Sequence, residues 1–576
     1  MFELKYSDGL ARIGKLQTPH GTLTTPTLLP VINPNYQPIT PQEMKKLFGI
    51  NALITNSYII YKNEEKRKLA LENGVHNLLD FDGIIMTDSG TFQSYVYGEI
   101  DIDNETIVKF QRDIKVDIAT ILDEFVIPDD SYDIAREKVE TTIKRAKPWS
   151  DSNTVLAFPV QGGIYKNLRE YCSRKYSELE GNIIHPIGGV VPLLENYRFA
   201  ELAEIILTVK KDIPISRPIH LFGCGHPMFF AISVLLGCDM FDSASYAKYA
   251  KDNRLMFVWG TRTLDDLIEL PCSCPVCSSI DIEMLKKLSQ EEREILIMKH
   301  NLYVSFEELK NVHQAIYEGS IWELAERRAN AHPKLVEIYS VLKEYRDFFE
   351  EFEPLYRISA LFVISRNSLY HPAIYRVQRA TCNVQRAMCE VYPLNTIVYP
   401  ENYPEDIDIY KTIKINREAQ EDSNKNSELE ILKSILDYQF SEKVSDYILK
   451  EPVTLWRSPN TKKIRRVYRN NVLLFSILNS GFVVPTIEMA KILHREIPAP
   501  KLRVTVKNEV SEFILAGKSV FSKFVVDADP RIRNKSEVLI VNEKDELLGT
   551  GKALMNRREM LSFKRGVAVE VRRRVL

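Results

Sequence analysis

Between residues 50 and 245 the chain alternates two patterns, and this alternation limits its fold more than any other feature. One pattern is a short apolar run: ALITNSYII (52–60), GIIMTDSG (83–90), DIATILDEF (117–125), VLAFPVQGG (155–163), IIHPIGGVV (183–191), PIHLFGCG (218–225) and CDMFDSAS (238–245). The other is amphipathic, as in NETIVKFQRDI and ENYRFAELAEIILTVKKD, where apolar residues recur every three or four positions. A strand–helix alternation makes the strands parallel, and seven or eight units over roughly 250 residues predict a (β/α)8 barrel. An open doubly wound sheet is the competing arrangement. Nearly every run closes on a polar or glycine cluster: Asp88-Ser89-Gly90, Asp123-Glu124, Gln161-Gly162-Gly163, Gly188-Gly189, Gly223-Cys224-Gly225 and Asp242-Ser243. Barrel enzymes carry their active sites on the loops after the strands, so such a series would converge on one face. This favours the barrel.

A chain of 576 residues exceeds what one hydrophobic core can organise. We expect the barrel with an inserted zinc subdomain over 1–345, two small α+β domains over 346–425 and 426–500, and a last module over 501–576. The polar stretch NREAQEDSNKNSE (416–428) reads as a linker, and proline-flanked EIPAPK (496–501) marks the final boundary. Beyond it LRVTV, FVVDADP, EVLIVNEKDELLGTG and FKRGVAVEVRR have the pattern of a small β-barrel. That module holds 17 Lys+Arg against 10 Asp+Glu; with −2 on the whole chain, residues 1–500 carry −9. A basic tail on an acidic body suits one module that handles phosphates and another that does chemistry. No run of eighteen apolar residues and no basic-then-apolar leader occurs, so we expect a cytoplasmic protein with no membrane partner.

Three of the eight cysteines crowd into PCSCPVC. In a reducing compartment that crowding suggests metal. Cys272, Cys274 and Cys277, with His300 following 23 residues later, suit one tetrahedral zinc ion. Nothing in the set requires an open coordination position, so the expected role is structural. Three acids, Asp88, Asp123 and Asp242, fall at strand ends. A retaining substitution at an anomeric carbon needs one carboxylate as nucleophile and another group for proton transfer. A purine-like base also calls for an acceptor facing its N–H donors, and a carboxylate serves.

ARIGKLQTPHGTLTTPTLLPV (11–31), DSGTFQ (88–93), the FPVQGG and IGGV segments, FDSASYAKYAK (241–251) and CSCPVC followed by HNLY resemble the tRNA-guanine transglycosylase family. FDSASYAKYAK and the long C-terminal extension are similar to its archaeal, archaeosine-type branch, and AGKSVFSKFVVDADP with the closing FKRGVAVEVR resembles the PUA domain, an RNA-binding β-barrel. The resemblance implies exchange of guanine at position 15 in the D arm of tRNA for 7-cyano-7-deazaguanine (preQ0), with no nucleotide cofactor. It implies that Asp88 and Asp242 are catalytic, Asp242 attacking C1′ and Asp88 acting as base, with the reverse assignment left open. Asp123 would read the base edge. Gln161 and the backbone at Gly189 and Val190 would complete the pocket, Phe92 and Phe222 would stack on the ring, and Ser89 would hold the base or orient Asp88. Candidate RNA contacts are Arg457, Lys462, Lys463, Arg465, Arg466 and Arg469, with Lys564, Arg565, Arg572, Arg573 and Arg574 in the last module. The family also implies a homodimer. A catalytically dead tRNA-binding relative should have lost an acid, and a queuine-type enzyme would lack the long extension.

Overall fold

Eight parallel strands close into a barrel in a computed structural model of the chain. The described residues are 2–91, 102–149, 154–357, 359–379, 397–398, 428–478 and 481–575. Phe92, the linker over 416–427 and most of the 346–425 region lie outside them. The chain divides into two units: Met1–Tyr317 with Leu324–Glu344, and Glu318–Glu323 with Tyr345–Leu576.

The first unit opens on three antiparallel strands, Phe2–Asp8 (β1), Ala11–Thr18 (β2) and Gly21–Thr25 (β3). The barrel follows as Thr27–Ile32 (β4), Ala52–Asn56 (β5), Ile84–Asp88 (β6), Ile118–Thr120 (β7), Val155–Ala157 (β8), Ile183–Ile187 (β9), Ile219–Leu221 (β10) and Met240–Ser243 (β11). It closes where β11 pairs with β4, from Met240 opposite Thr27 to Ser243 opposite Pro30. Every residue of β5 and β9 is buried, as expected of parallel strands covered on both faces. Helices follow where the amphipathic stretches lie, including Asn104–Asp113, capped by Asp103, and Phe199–Asp212.

Each of the seven apolar runs supplies a strand, but the strand is shorter than the run. In DIATILDEF the strand is only Ile118–Thr120; the buried Gln111 amide takes both the N–H and the carbonyl of Thr120, at 2.8 Å each, so neither is left for a neighbouring strand. Residues such as Asp123, Gln161 and Gly189 follow their strands in loops, whereas Asp117 and Asp239 precede theirs and Ser57–Lys62 is already helix. The eighth strand, β4, comes directly after the antiparallel sheet.

The opposite end of the barrel is pinned by buried charge. Arg12 of β2 holds Asp239, just before β11, with Nε to Oδ1 at 2.6 Å and Nη2 to Oδ2 at 2.8 Å, and also donates to the carbonyls of Ile215 and Arg217. Burial opposes ionisation of Asp239, yet Arg12 and Lys210 hold its carboxyl below the usual range. Just before β7, Asp117 accepts backbone N–H groups from His20 and Ile85 and faces the rings of His20 and His76 at 3.1 and 3.0 Å. Arg12→Met would leave the Asp239 carboxylate buried without its bidentate partner. We expect a loss of about 3–5 kcal/mol in thermal or denaturant unfolding, partly recovered in Arg12→Met/Asp239→Leu.

An antiparallel hairpin, Arg254–Phe257 (β12) and Gly260–Thr263 (β13), leads into the cysteine segment and a 29-residue helix, Gln290–Glu318. In the second unit an antiparallel sheet of Thr454–Arg457, Ile464–Arg469, Val472–Ile477 and Val483–Pro485 packs Val467 and Phe475 against Leu436 and Leu493 of flanking helices. The last segment forms a six-stranded sheet. Among the described residues, no helix is long and apolar enough to cross a membrane.

Candidate active site and metal centre

The carboxyl ends of the barrel strands gather the three acids. Asp88 closes β6; its Oδ1 accepts the Gly90 N–H at 3.0 Å, and its carbonyl accepts the Ser57 hydroxyl at 2.5 Å. Burial pushes the Asp88 carboxyl up to about 7, against the pull of the Gly90 N–H and the Asn56 side chain, and the charges of Asp242 and Asp123 push the same way as burial. Those Coulombic interactions are the signature of convergence. Asp123 follows β7, is 7% exposed, and accepts the Gln161 amide on Oδ2 at 2.5 Å. Burial raises its carboxyl too, opposed by Gln161 and Thr91. The buried Ser89 hydroxyl lies 3.2 Å from that of Thr91, which in turn donates to the Asp123 carbonyl, so the DSG loop is tied to the next strand end.

The Gly188-Gly189-Val190 turn fits against this pair. Gly189 takes φ +71°, and a Cβ there would come within 2.4 Å of the Val126 carbonyl oxygen and 3.0 Å of Gln161 Oε1. A side chain at 189 would therefore displace the amide that holds Asp123. Val190 is fully buried. On the other side of the mouth, Asp242 lies in β11 with Oδ1 accepting the Gly223 N–H at 3.1 Å. Phe222 precedes that glycine and meets the His220 ring edge to face, centroids 4.8 Å apart.

Two residues here were not singled out from sequence. Arg169 is fully buried and, among the described residues, forms no ion pair; Nε donates to the Gly163 carbonyl, and Nη1 to those of Val160 and Gly188. It thus ties together the loops after β8 and β9, and burial lowers its guanidinium to about 10. A signal was present: in helix Lys166–Ser177 it lies on the buried side with Leu168, Cys172 and Tyr176. His220, fully buried in β10, brings Nε2 to 2.9 Å from Asp242 Oδ1.

The sulfurs of Cys272, Cys274 and Cys277 and a ring nitrogen of His300 lie within 4.8 Å of one another. His300 Nδ1 is 3.5 Å from Cys274 Sγ and 3.3 Å from Cys277 Sγ, near the ~3.6 Å edge of a tetrahedron with zinc-like bond lengths. Nε2 of the same ring lies 3.0 Å from the Met256 carbonyl, which places the proton there and turns the Nδ1 lone pair toward the sulfurs. The neighbouring Cys272 and Cys277 sulfurs hold the Cys274 thiol well below its usual range. The donor set and its second-layer hydrogen bond are those of a closed structural metal site. Asn301 fixes the frame by bonding Met256 N–H at 2.8 Å.

The basic candidates are spread over the second unit. Arg457, Lys462, Lys463 and Arg466 are exposed, and Arg466 lies 5.2 Å over the Trp456 ring. Arg465 is half-buried, and Arg469 donates to the Tyr447 and Ile448 carbonyls. Lys564, Arg565, Arg573 and Arg574 are exposed, whereas Arg572 lies 3.0 Å from the buried Glu537 carboxylate.

A closed parallel barrel with acids converging at its mouth and a Cys3His cluster is the frame of a barrel enzyme with a structural metal. Residues 7–334 match the family model described as queuine tRNA-ribosyltransferase, 430–500 the patch-forming domain C2 of tRNA-guanine transglycosylase, and 502–575 the PUA domain. The chain belongs to the tRNA-guanine transglycosylase family, whose members are pentosyltransferases. Relatives named tRNA-guanine(15) transglycosylase include those of Pyrococcus abyssi (43% identical, covering 99% of this chain and 98% of the relative), Thermococcus onnurineus (42%, 100% and 99%) and Methanocaldococcus jannaschii (38%, 99% and 99%).

Proposed function

We propose that the chain exchanges guanine at position 15 of tRNA for preQ0 by double displacement at the barrel mouth, a reading supported by the name its full-length relatives carry. The observation that carries it is the difference between two carboxylates. Asp88 has its carboxyl raised to about 7, suited to passing a proton in both directions at neutral pH. Asp242 has Oδ1 held by Gly223 N–H, while among the described residues no hydrogen bond reaches Oδ2.

Asp242 Oδ2 forms a bond to C1′ as the C1′–N9 bond breaks, and Asp88 gives its proton to the departing base. The incoming deazaguanine then surrenders an N–H proton to Asp88 and attacks C1′, and the C1′–Oδ2 ester bond breaks to restore the Asp242 carboxylate. Asp123, braced by Gln161, accepts from the N–H edge of the base; the backbone at Gly189 and Val190, with Ser89 and Phe222, completes the pocket. Because C1′ of a stacked nucleotide is out of reach, the target is extruded, and contacts from the basic residues of the second unit offset the unstacking. Zinc is the ion the Cys3His donors fit, in a structural role. A cytoplasmic homodimer belongs to the same reading, with light scattering as its check.

Incubating the full chain with unmodified tRNA and labelled guanine, without nucleoside triphosphate, tests the function: label should enter the tRNA, and none entering contradicts it. The half-reactions should also split with pH. Guanine release needs Asp88 protonated, so its single-turnover rate should fall about tenfold per unit above pH 7. Base insertion into the preformed adduct needs Asp88 ionised, so its rate should rise toward a plateau over the same range. Parallel profiles for the two steps would refute this role for Asp88.

A further inference from the structure

His220 lies in β10, whose parallel pairing with β11 sets His220 opposite Met240, two residues before Asp242. Its side chain has no solvent exposure, and Nε2 lies 2.9 Å from Asp242 Oδ1, the same oxygen that the Gly223 N–H reaches at 3.1 Å. Phe222 closes the ring in from one edge. Among the described residues, neither ring nitrogen has a well-aligned hydrogen-bond partner. A buried imidazole left so is costly, and its close neighbour is the carboxylate at the barrel mouth. Contacts of this kind often align only in the substrate complex.

We propose that His220 is a positioning residue: Nε2–H and the Gly223 N–H together hold Oδ1 of Asp242 so that Oδ2 faces the anomeric carbon. The inference rests on Asp242 being the nucleophile. Its consequence extends past the first bond. Once Oδ2 has become the ester oxygen, Oδ1 is the ester carbonyl, and two donors on it draw electron density from the C1′–Oδ2 bond. The carboxylate then leaves more readily when the incoming base attacks C1′, so both half-reactions depend on the same contact.

The test follows the covalent tRNA adduct of the full chain on denaturing gels, timing its formation and its resolution by added guanine. His220→Phe keeps a ring and removes the donor; His220→Gln offers an amide N–H at a similar reach. We expect His220→Phe to slow both steps roughly 10- to 100-fold, the span for one hydrogen bond to a charged group, with the KM for tRNA unchanged. His220→Gln should recover most of the rate. Should the Phe variant not fold, His220→Met takes its place. Wild-type formation and resolution in His220→Phe would overturn the inference, as would an equal loss in the Gln variant. Asp242→Asn run alongside separates the two layers. An adduct persisting there overturns the nucleophile assignment and this inference with it, whereas an adduct absent there but formed at full rate by His220→Phe overturns this inference alone.

Discussion

Asp242→Asn should abolish the covalent tRNA adduct and lower base exchange on the order of 10⁴-fold or more, the scale of losing a nucleophile. The substitution is close to isosteric, and the amide oxygen can still accept the Gly223 N–H, so the barrel mouth should keep its geometry. Unfolding temperature and tRNA affinity should stay near those of the parent. Asp88→Asn should behave differently. Without a group to shuttle the proton, adduct formation slows instead of disappearing, and resolution slows as well. An adduct that survives Asp242→Asn and is lost in Asp88→Asn would reverse the two roles.

Stripping the metal should act on the fold before it acts on chemistry. Residues 272–277 lie between strand β13 and helix Ile282–Lys287, with few internal backbone bonds: Cys272 N–H to Leu270, Ser278 N–H to Cys274 and Ser279 N–H to Val276. The ion that the Cys3His donors fit would supply the missing restraint, and in small zinc modules binding is worth about 10–16 kcal/mol. Part of that appears here as local ordering, since the barrel has its own core. We expect a strong chelator, or Cys277→Ser, to lower Tm by roughly 10 °C or more and to expose the amides of 254–300 to exchange. Residual activity should track the folded fraction. Turnover lost at constant Tm would mean instead that the metal takes part in the reaction.

The amino-acid order already carried the barrel, because parallel strands covered on both faces must be apolar runs and the helices between them must be amphipathic. Runs such as ALITNSYII and IIHPIGGVV therefore became β5 and β9. The Cys3His cluster was legible for a similar reason: three of its members lie within six residues, and thiolates there have few other uses. Strand length was not legible, because the Gln111 amide on the preceding helix takes the N–H and carbonyl of Thr120, a side-chain contact that the apolar pattern does not show. Arg169 and His220 were hidden for the same cause. One holds the carbonyls of Val160, Gly163 and Gly188 together, the other meets a carboxylate from the next strand, and hydrophobic periodicity marks neither partner set. The candidate RNA contacts were the least legible part. Arg469 and Arg572 resemble their exposed neighbours in sequence, yet both make contacts within the fold.

Base exchange at one nucleotide of the D arm can be read out by reacting unmodified tRNA with preQ0 and mapping the product by nuclease digestion and mass spectrometry. The expected product carries the mass change of guanine replaced by preQ0 at nucleotide 15 alone, with guanine released in equal amount. A change at the anticodon, or an unaltered tRNA, would contradict it.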